Sequence, residues 1–185
     1  MLTTDQKGAI AEMGIAWQAT QLGIEVYRPL AEGGRFDMIF LLGDDLARVQ
    51  CKWAPRLGNA ILVRCYSCRR AREGHRRRPY GPHEIDAIAA YCPDNGRCYY
   101  LPVEWVGGRR QILLRLEPTE NNQRRGVHWA EDFEFGATLA RYGAIAQLGE
   151  RLDGIQKVAG SSPAGSTLFA PSSDYARGNS AKVTS

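Results

Sequence analysis

The spacing of apolar residues near the start of the chain predicts a helix. Across residues 4–22, Ile10, Met13 and Trp17 recur three and four positions apart, which is the period of one helical face. Gly23 follows this segment, at the position where a glycine commonly ends a helix. We therefore predict an amphipathic helix with these three residues on its apolar face.

Short apolar runs bounded by turn residues predict a series of strands. These runs are Ile24–Arg28, Phe36–Leu42, Leu46–Lys52, Ala60–Cys65, Cys98–Val103 and Gln111–Leu116. Residues 43–45 read Gly-Asp-Asp and predict a hairpin between the second and third runs. The segment His83–Tyr91 carries Ile85, Ile88 and Ala89 at helical spacing and predicts a second helix. The predicted order is α-β-β-β-β-α-β-β, an α/β fold with a mixed β-sheet flanked by helices.

The distribution of charge changes this picture more than its total does. The 185 residues are 44% hydrophobic, enough for one domain with a real core, and the net charge is only +4. The segment from Arg64 to Arg78, however, contains seven arginines and a single acid, Glu73. Such a run predicts an anionic partner, nucleic acid first, and a solvated loop is the alternative.

The cysteines and the apolar runs bear on location. No signal peptide or membrane-length apolar run is visible. Five cysteines, an odd number without a signal, predict the reducing cytoplasm and no membrane association. Cys65-x-x-Cys68 with Cys92 and Cys98 has the composition of a four-cysteine zinc site, and ordinary buried thiols are the default alternative.

The end of the chain differs in character from the rest. Residues 160–185 are rich in Gly, Ser, Ala and Pro without periodicity, which predicts disorder. Ala146-Gln147-Leu148-Gly149 and Gly160-Ser161-Ser162-Pro163 match translations of the D-arm and T-arm sequences common in tRNA genes. We therefore predict a functional domain over residues 1–135 and a disordered tail over 136–185, read through from a tRNA gene.

The predicted hairpin brings candidate chemistry to one end of two strands. Asp37 begins one strand, while Gln50 and Lys52 end its antiparallel neighbour and face the same way, with Cys51 facing the other. Glu12 lies mid-helix, and we expect that helix to pack on the sheet. These groups predict a divalent-metal site with oxygen ligands that suits Mg2+, in which Lys52 stabilises charge or orients the attacking water.

Each of these groups also has a plain alternative. Asp37 can be a strand-edge acid paired with Arg35, Lys52 an exposed edge-strand charge, and Glu12 a solvated helix residue. Three independent accidents would have to coincide for all three alternatives to hold.

The same residues resemble a known family. Glu12, Asp37 and Gln50-x-Lys52 are similar to the PD-(D/E)XK nuclease signature, and the core order α-β-β-β-α-β resembles the restriction-endonuclease-like fold. Over roughly residues 5–133 the chain resembles the group-I-intron-associated PD-(D/E)XK endonucleases. The segments that carry this likeness are Lys7-Gly8, Arg35-Phe36-Asp37, Val49-Gln50-Cys51-Lys52, Glu84-Ile85-Asp86, Tyr91-Cys92-Pro93, Cys98-Tyr99-Tyr100-Leu101-Pro102, Leu116-Glu117-Pro118 and Asn121-Asn122-Gln123.

The resemblance implies a metal-dependent, site-specific endonuclease of double-stranded DNA, as homing endonucleases are. It implies that Glu12, Asp37, Gln50 and Lys52 are catalytic, and that Mg2+ or Mn2+ binds Asp37, Glu12 and the backbone carbonyl of Cys51. Gln50 replaces the usual acid before x-Lys, and the intron-associated group tolerates this glutamine.

The arginine run and the resemblance together imply a double-stranded DNA partner. The candidate DNA-contacting residues are Arg69, Arg70, Arg76, Arg77 and Arg78. Cutting both strands implies a homodimer or homotetramer. A branched-DNA, repair or restriction nuclease with the same core is one alternative, and a catalytically silent DNA-binding relic is another.

Overall fold

A computed structural model describes residues 1–31, 33–71, 74–118 and 126–141, except for the side chains of residues 69–71, 75 and 141. Its helices are α1 (Thr4–Gln21), α2 (Val103–Val106) and α3 (Phe135–Arg141), with a 3-10 turn at Ala130–Phe133. Its strands are β1 (Glu25–Tyr27), β2 (Met38–Leu42), β3 (Asp45–Trp53), β4 (Arg56–Leu57), β5 (Ala60–Arg64), β6 (Tyr66–Ala71), β7 (Gly74–Pro79), β8 (Ala87–Cys92), β9 (Arg97–Pro102), β10 (Gln111–Arg115) and β11 (His128–Trp129).

A five-stranded mixed sheet forms the centre, in the order β1-β2-β3-β8-β9. The pairing of β3 with β8 is parallel, and the other pairs of this sheet are antiparallel. Helix α1 packs on one face, and a smaller sheet, β11-β10-β5-β4, covers the other. Two hydrophobic cores therefore lie on opposite sides of the central sheet. The predicted mixed sheet in an α/β fold is confirmed.

The predicted helix at His83–Tyr91 is wrong, because most of this segment forms the buried strand β8. Alternate residues of β8 enter opposite cores: Ala87 and Ala89 face α1, while Ile88 and Ala90 face the smaller sheet. A strand buried on both faces is a continuous apolar run without alternation. Ile88 and the alanines of β8, together with Ile85 just before it, therefore have the spacing of a helix.

Helix α1 is confirmed, but its predicted apolar face is wrong. Met13 and Trp17 are each 62% exposed, and the buried residues are Ala11, Ile15 and Ala19. A capping box between Thr3 and Gln6 starts the helix. The buried face consists mostly of small side chains, which let the helix backbone lie close to the sheet. No helix in the described part of the chain is long and apolar enough to cross a membrane.

The arginine-rich segment is a hairpin rather than the predicted loop. Strands β6 and β7 pair with each other as a two-stranded antiparallel sheet, which we call the arginine hairpin. At the other end of the described chain, α3 continues to Arg141, and Leu139 is fully buried. The boundary at residue 135 stays a prediction, and residues 142–185, with the tRNA-like segments, lie outside the described residues.

Candidate active site

The β2–β3 hairpin places the predicted carboxylate beside the predicted amide. Met38 pairs with Val49, so Asp37, immediately before β2, lies beside the C-terminal half of β3. The backbone N–H of Asp37 donates to the carbonyl oxygen of Val49 at 2.9 Å. The proximity of Asp37 and Gln50 expected from the sequence is thereby confirmed.

Asp37 Oδ2 is the centre of a compact polar cluster. It accepts a hydrogen bond from the backbone N–H of Cys51 at 2.8 Å and another from Nε2 of Gln50. The same Nε2 donates to the Cys51 carbonyl oxygen at 3.2 Å. Burial raises the pKa of Asp37, and the hydrogen bond from Cys51, the Lys52 charge and the Gln50 hydrogen bond oppose that shift.

Glu12 reaches the same place from α1. Glu12 and Asp37 both line a cleft of about 520 Å³. Arg28, just after β1, forms an ion pair with Glu12 at 2.5 Å and also lines the cleft. Asp5 of α1 also lines the cleft, so three carboxylates lie along it, among them the two that the sequence predicted.

The donor set of this cleft suits a hard divalent cation. The Asp37 carboxylate and the Cys51 carbonyl oxygen converge closely enough to share one N–H donor group of Gln50. Two such oxygens, with the Glu12 carboxylate lining the same cleft, are ligands of the kind Mg2+ takes while keeping several waters. The residues present therefore fit the metal that the resemblance implies.

Lys52 contacts Tyr80, a residue that the sequence analysis did not identify. Its Nζ donates to the hydroxyl of Tyr80 at 2.8 Å and lies 4.9 Å from the centre of that ring. Burial lowers the pKa of Lys52, and the charge of Asp37 opposes that shift. Lys52 is therefore not the exposed edge-strand charge of the alternative interpretation.

Arg35 pairs with Glu84 rather than with Asp37. Its Nε and Nη2 donate to the two carboxylate oxygens of Glu84 at 3.0 and 2.8 Å. It also donates to Ser67 Oγ at 2.6 Å and to the Pro79 carbonyl at 2.8 Å, both at the base of the arginine hairpin. Arg35 and Glu84 appear among the resembling segments, but nothing local in the sequence shows that they meet.

The arginine hairpin adjoins this cleft. Arg76, Arg77 and Arg78 are exposed on β7, and Arg78 also forms an ion pair with Glu84. Arg35, Arg76 and Arg78 line a second cleft of about 530 Å³, which shares Gly33 and Gly34 with the first. The backbones of Arg69 and Arg70 lie in β6, and their side chains lie outside the described part.

The cysteines do not form the zinc site considered above. Among the described residues, no group of three or more His, Cys, Asp or Glu side chains is placed to hold a metal. All five cysteines are free thiols: Cys68 is exposed and the other four are buried. Burial raises the pKa of Cys98 to about 12 and that of Cys65 to about 11. The default interpretation as ordinary buried thiols is confirmed for Cys65, Cys92 and Cys98 and is wrong for Cys68, which is exposed.

Comparison with known proteins agrees with the resemblance. Residues 2–136 match the family model of the PD-(D/E)XK endonucleases. Among solved structures, a bacterial homing endonuclease, I-Ssp6803I, superposes with a TM-score of 0.59 at 22% identity, covering 82% of this chain and 99% of that one. A comparison with curated proteins gives no significant match. The expected restriction-endonuclease-like α/β fold is thus confirmed.

Proposed function

Because the chain belongs to the PD-(D/E)XK endonuclease family, we propose that it is a metal-dependent, site-specific endonuclease of double-stranded DNA, of the homing type. The observation that carries this proposal is the convergence of Asp37, the Gln50 amide and the Cys51 carbonyl at one end of the β2–β3 hairpin. The bacterial homing endonuclease with the same fold supports it.

In this proposal the oxygens of the cleft hold Mg2+ or Mn2+. Asp37, Glu12 and the Cys51 carbonyl are the ligands, and Gln50 holds Asp37 and the carbonyl together. When bound, the ion lowers the pKa of a coordinated water and offsets charge on the phosphate. Lys52 presents a positive charge to the phosphodiester and orients the attacking water.

In this proposal the arginine hairpin is the DNA-binding surface. Arg76, Arg77 and Arg78 are exposed on β7. Arg76 and Arg78 line a second cleft, which shares Gly33 and Gly34 with the cleft of Asp37. Phosphate contacts of this kind give affinity and register, while arginines that reach base edges give specificity. Arg69 and Arg70 on the paired strand belong to the same proposed surface.

Two further properties follow from this proposal. Cutting both strands requires two active sites, so we expect a homodimer or homotetramer, which sedimentation velocity measures. The five free thiols support a reducing, cytoplasmic location.

The direct test is cleavage of plasmid DNA by the full chain with Mg2+. The plasmid carries the DNA that flanks the gene, joined without the gene, because a homing endonuclease cuts the uninterrupted site. We expect discrete cuts that disappear with EDTA, with Asp37→Ala and with Lys52→Ala. Asp44→Asn, in the exposed turn of the same hairpin, is the matched control and should cut normally.

The other outcomes separate the alternatives. Cleavage confined to four-way junctions would indicate a branched-DNA nuclease. Salt-sensitive binding without any cleavage would indicate a silent DNA-binding protein. Cleavage that survives both EDTA and Asp37→Ala would refute the proposed site.

The DNA surface has its own test. Each arginine that contacts a phosphate contributes about 1 to the slope of log affinity against log salt. Alanine at Arg76, Arg77 and Arg78 together should lower that slope by about 2–3. Arg97→Ala is the control for charge, since Arg97 lies on the edge strand β9, away from β2, in an exposed ion pair with Glu134.

A further inference from the structure

We infer that Tyr80 is a positioning residue for Lys52: it holds the ammonium group in place and ties it, through Arg35, to the base of the arginine hairpin. This inference rests on the proposed nuclease function. It adds to that function a residue outside the Asp37–Gln50–Lys52 set.

Tyr80 offers Lys52 two contacts at once. The residue follows directly after β7 and is only 3% exposed. Its hydroxyl oxygen accepts from Lys52 Nζ at 2.8 Å, and its ring centre lies 4.9 Å from the same nitrogen. A hydrogen bond to a charged donor together with a ring near the cation is a strong restraint on a long, flexible side chain.

The same ring carries a second cation. The Arg35 guanidinium lies 4.4 Å from the Tyr80 ring centre. Arg35 is itself fixed by both oxygens of Glu84, by Ser67 Oγ and by the Pro79 carbonyl. The position of Lys52 is therefore connected, through one buried ring, to the first two residue pairs of the arginine hairpin, Tyr66 with Pro79 and Ser67 with Arg78.

Holding the Lys52 ammonium group in place matters for the proposed hydrolysis of the phosphodiester. Asp37 lies close to Lys52 along the chain's fold, because it accepts hydrogen bonds from the Gln50 side chain and from the backbone N–H of Cys51. An ammonium group free to move would settle on that carboxylate, because opposite charges in a partly buried site attract strongly. By accepting the N–H, Tyr80 keeps Lys52 apart from the proposed metal ligand and available to the phosphodiester.

The test compares two buried tyrosines that each lose only a hydroxyl group. Tyr80→Phe removes the acceptor of Lys52, while Tyr99→Phe removes a hydroxyl that accepts from Asn95 at 2.9 Å. Tyr99 is 2% exposed, so the two sites match in burial. For Tyr80→Phe we expect the single-turnover cleavage rate to fall roughly 10- to 100-fold. Its DNA affinity and melting temperature should stay near those of Tyr99→Phe, which should cleave at the wild-type rate.

A second cycle assigns the loss to Lys52. Lys52→Met should cleave no DNA, so this cycle is measured as the free energy of unfolding: Tyr80→Phe should cost less stability in the Lys52→Met background than in wild type, because the hydrogen bond that it removes is already absent. An equal cost in both backgrounds, a loss of cleavage rate in Tyr99→Phe equal to that in Tyr80→Phe, or an unchanged rate in Tyr80→Phe would each overturn the inference.

A measurement on DNA-free protein keeps this inference separate from the nuclease proposal. With 13C-lysine label, the Lys52 side chain should give a displaced and rigid signal in wild type and in Tyr99→Phe. In Tyr80→Phe the signal should move toward those of flexible lysines. If it does not move, Tyr80 does not hold Lys52, whatever the protein cleaves. If it moves and the wild type cleaves no DNA, the restraint stands and the proposed function fails.

Discussion

Two glycines in α1 should respond to alanine with opposite signs. A Cβ atom at Gly14 would lie 2.9 Å from Cδ2 and Cε2 of the Tyr91 ring, whereas a Cβ atom at Gly8 meets nothing within 4 Å. Alanine in a helix interior is more stable than glycine by about 0.5–1 kcal/mol. Gly8→Ala should therefore raise the free energy of unfolding by about that amount.

At Gly14 the overlap outweighs the helix propensity. Overpacking of a close contact typically costs about 1–3 kcal/mol. The Tyr91 ring cannot swing away without cost, because it packs against Trp53 with ring centres 6.0 Å apart. Subtracting the helix gain, Gly14→Ala should lower the free energy of unfolding by up to about 2 kcal/mol, or a few degrees in melting temperature.

Urea denaturation at neutral pH measures both variants, and a third variant identifies the cause. With Tyr91→Ala in the background, the overlap is gone, and Gly14→Ala should stabilise as Gly8→Ala does. If Gly14→Ala is as stable as Gly8→Ala in the wild-type background, or remains destabilising beside Tyr91→Ala, the close packing of α1 on β8 is not the reason.

Three further outcomes follow from the ionisable groups of the site. Burial raises the pKa of Asp37, so its ionisation costs stability as pH rises through that raised value. Asp37→Asn should abolish cleavage, yet at pH 7.5 without metal it should unfold at a higher urea concentration than wild type. This gain in stability should be gone below about pH 4, where the wild-type carboxyl is protonated in both states. Hydrogen bonds from Arg48 lower the pKa of Asp86. Because this pair is partly exposed, Asp86→Ala should lower the free energy of unfolding by about 1 kcal/mol at pH 7. Urea titrations should show that this loss vanishes as pH falls through the lowered pKa. Arg28 and the proposed metal ion compete for the Glu12 carboxylate. Calorimetric titration of Arg28→Ala with Mn2+ should therefore show an affinity for Mn2+ up to about fivefold higher than that of wild type. A lower affinity would contradict this competition.

The part of the site that the sequence predicted is local. Asp37, Gln50 and Lys52 belong to one hairpin, whose turn and apolar runs set the register and bring the strand ends together. Glu12 was predicted on the helix that packs on this sheet. Alternation along β3 was then enough to predict the side-chain directions.

The parts that failed depend on distant contacts. Residues 87–92 form a strand because both faces are covered, and a run of three alanines and one isoleucine does not reveal that coverage. The face of α1 was misassigned because Met13 and Trp17 are apolar yet exposed. The contacts of Arg35 with Glu84, and of Lys52 with Tyr80, join residues far apart in sequence whose pairing no short-range pattern encodes.

The position of the arginine hairpin within the connection from β3 to β8 has a consequence for how such a protein can diversify. Residues 54–86 form that connection, and within the described part of the chain β6 and β7 pair only with each other. Loop-closure entropy grows so slowly that doubling such a connection costs about 0.6 kcal/mol. Insertions between β6 and β7 can therefore lengthen the proposed DNA-contacting surface while the register of β3 on β8, and with it the cleft of Asp37, stays as it is. Under the proposed function, a lineage can in this way acquire new DNA targets while its active site stays unchanged.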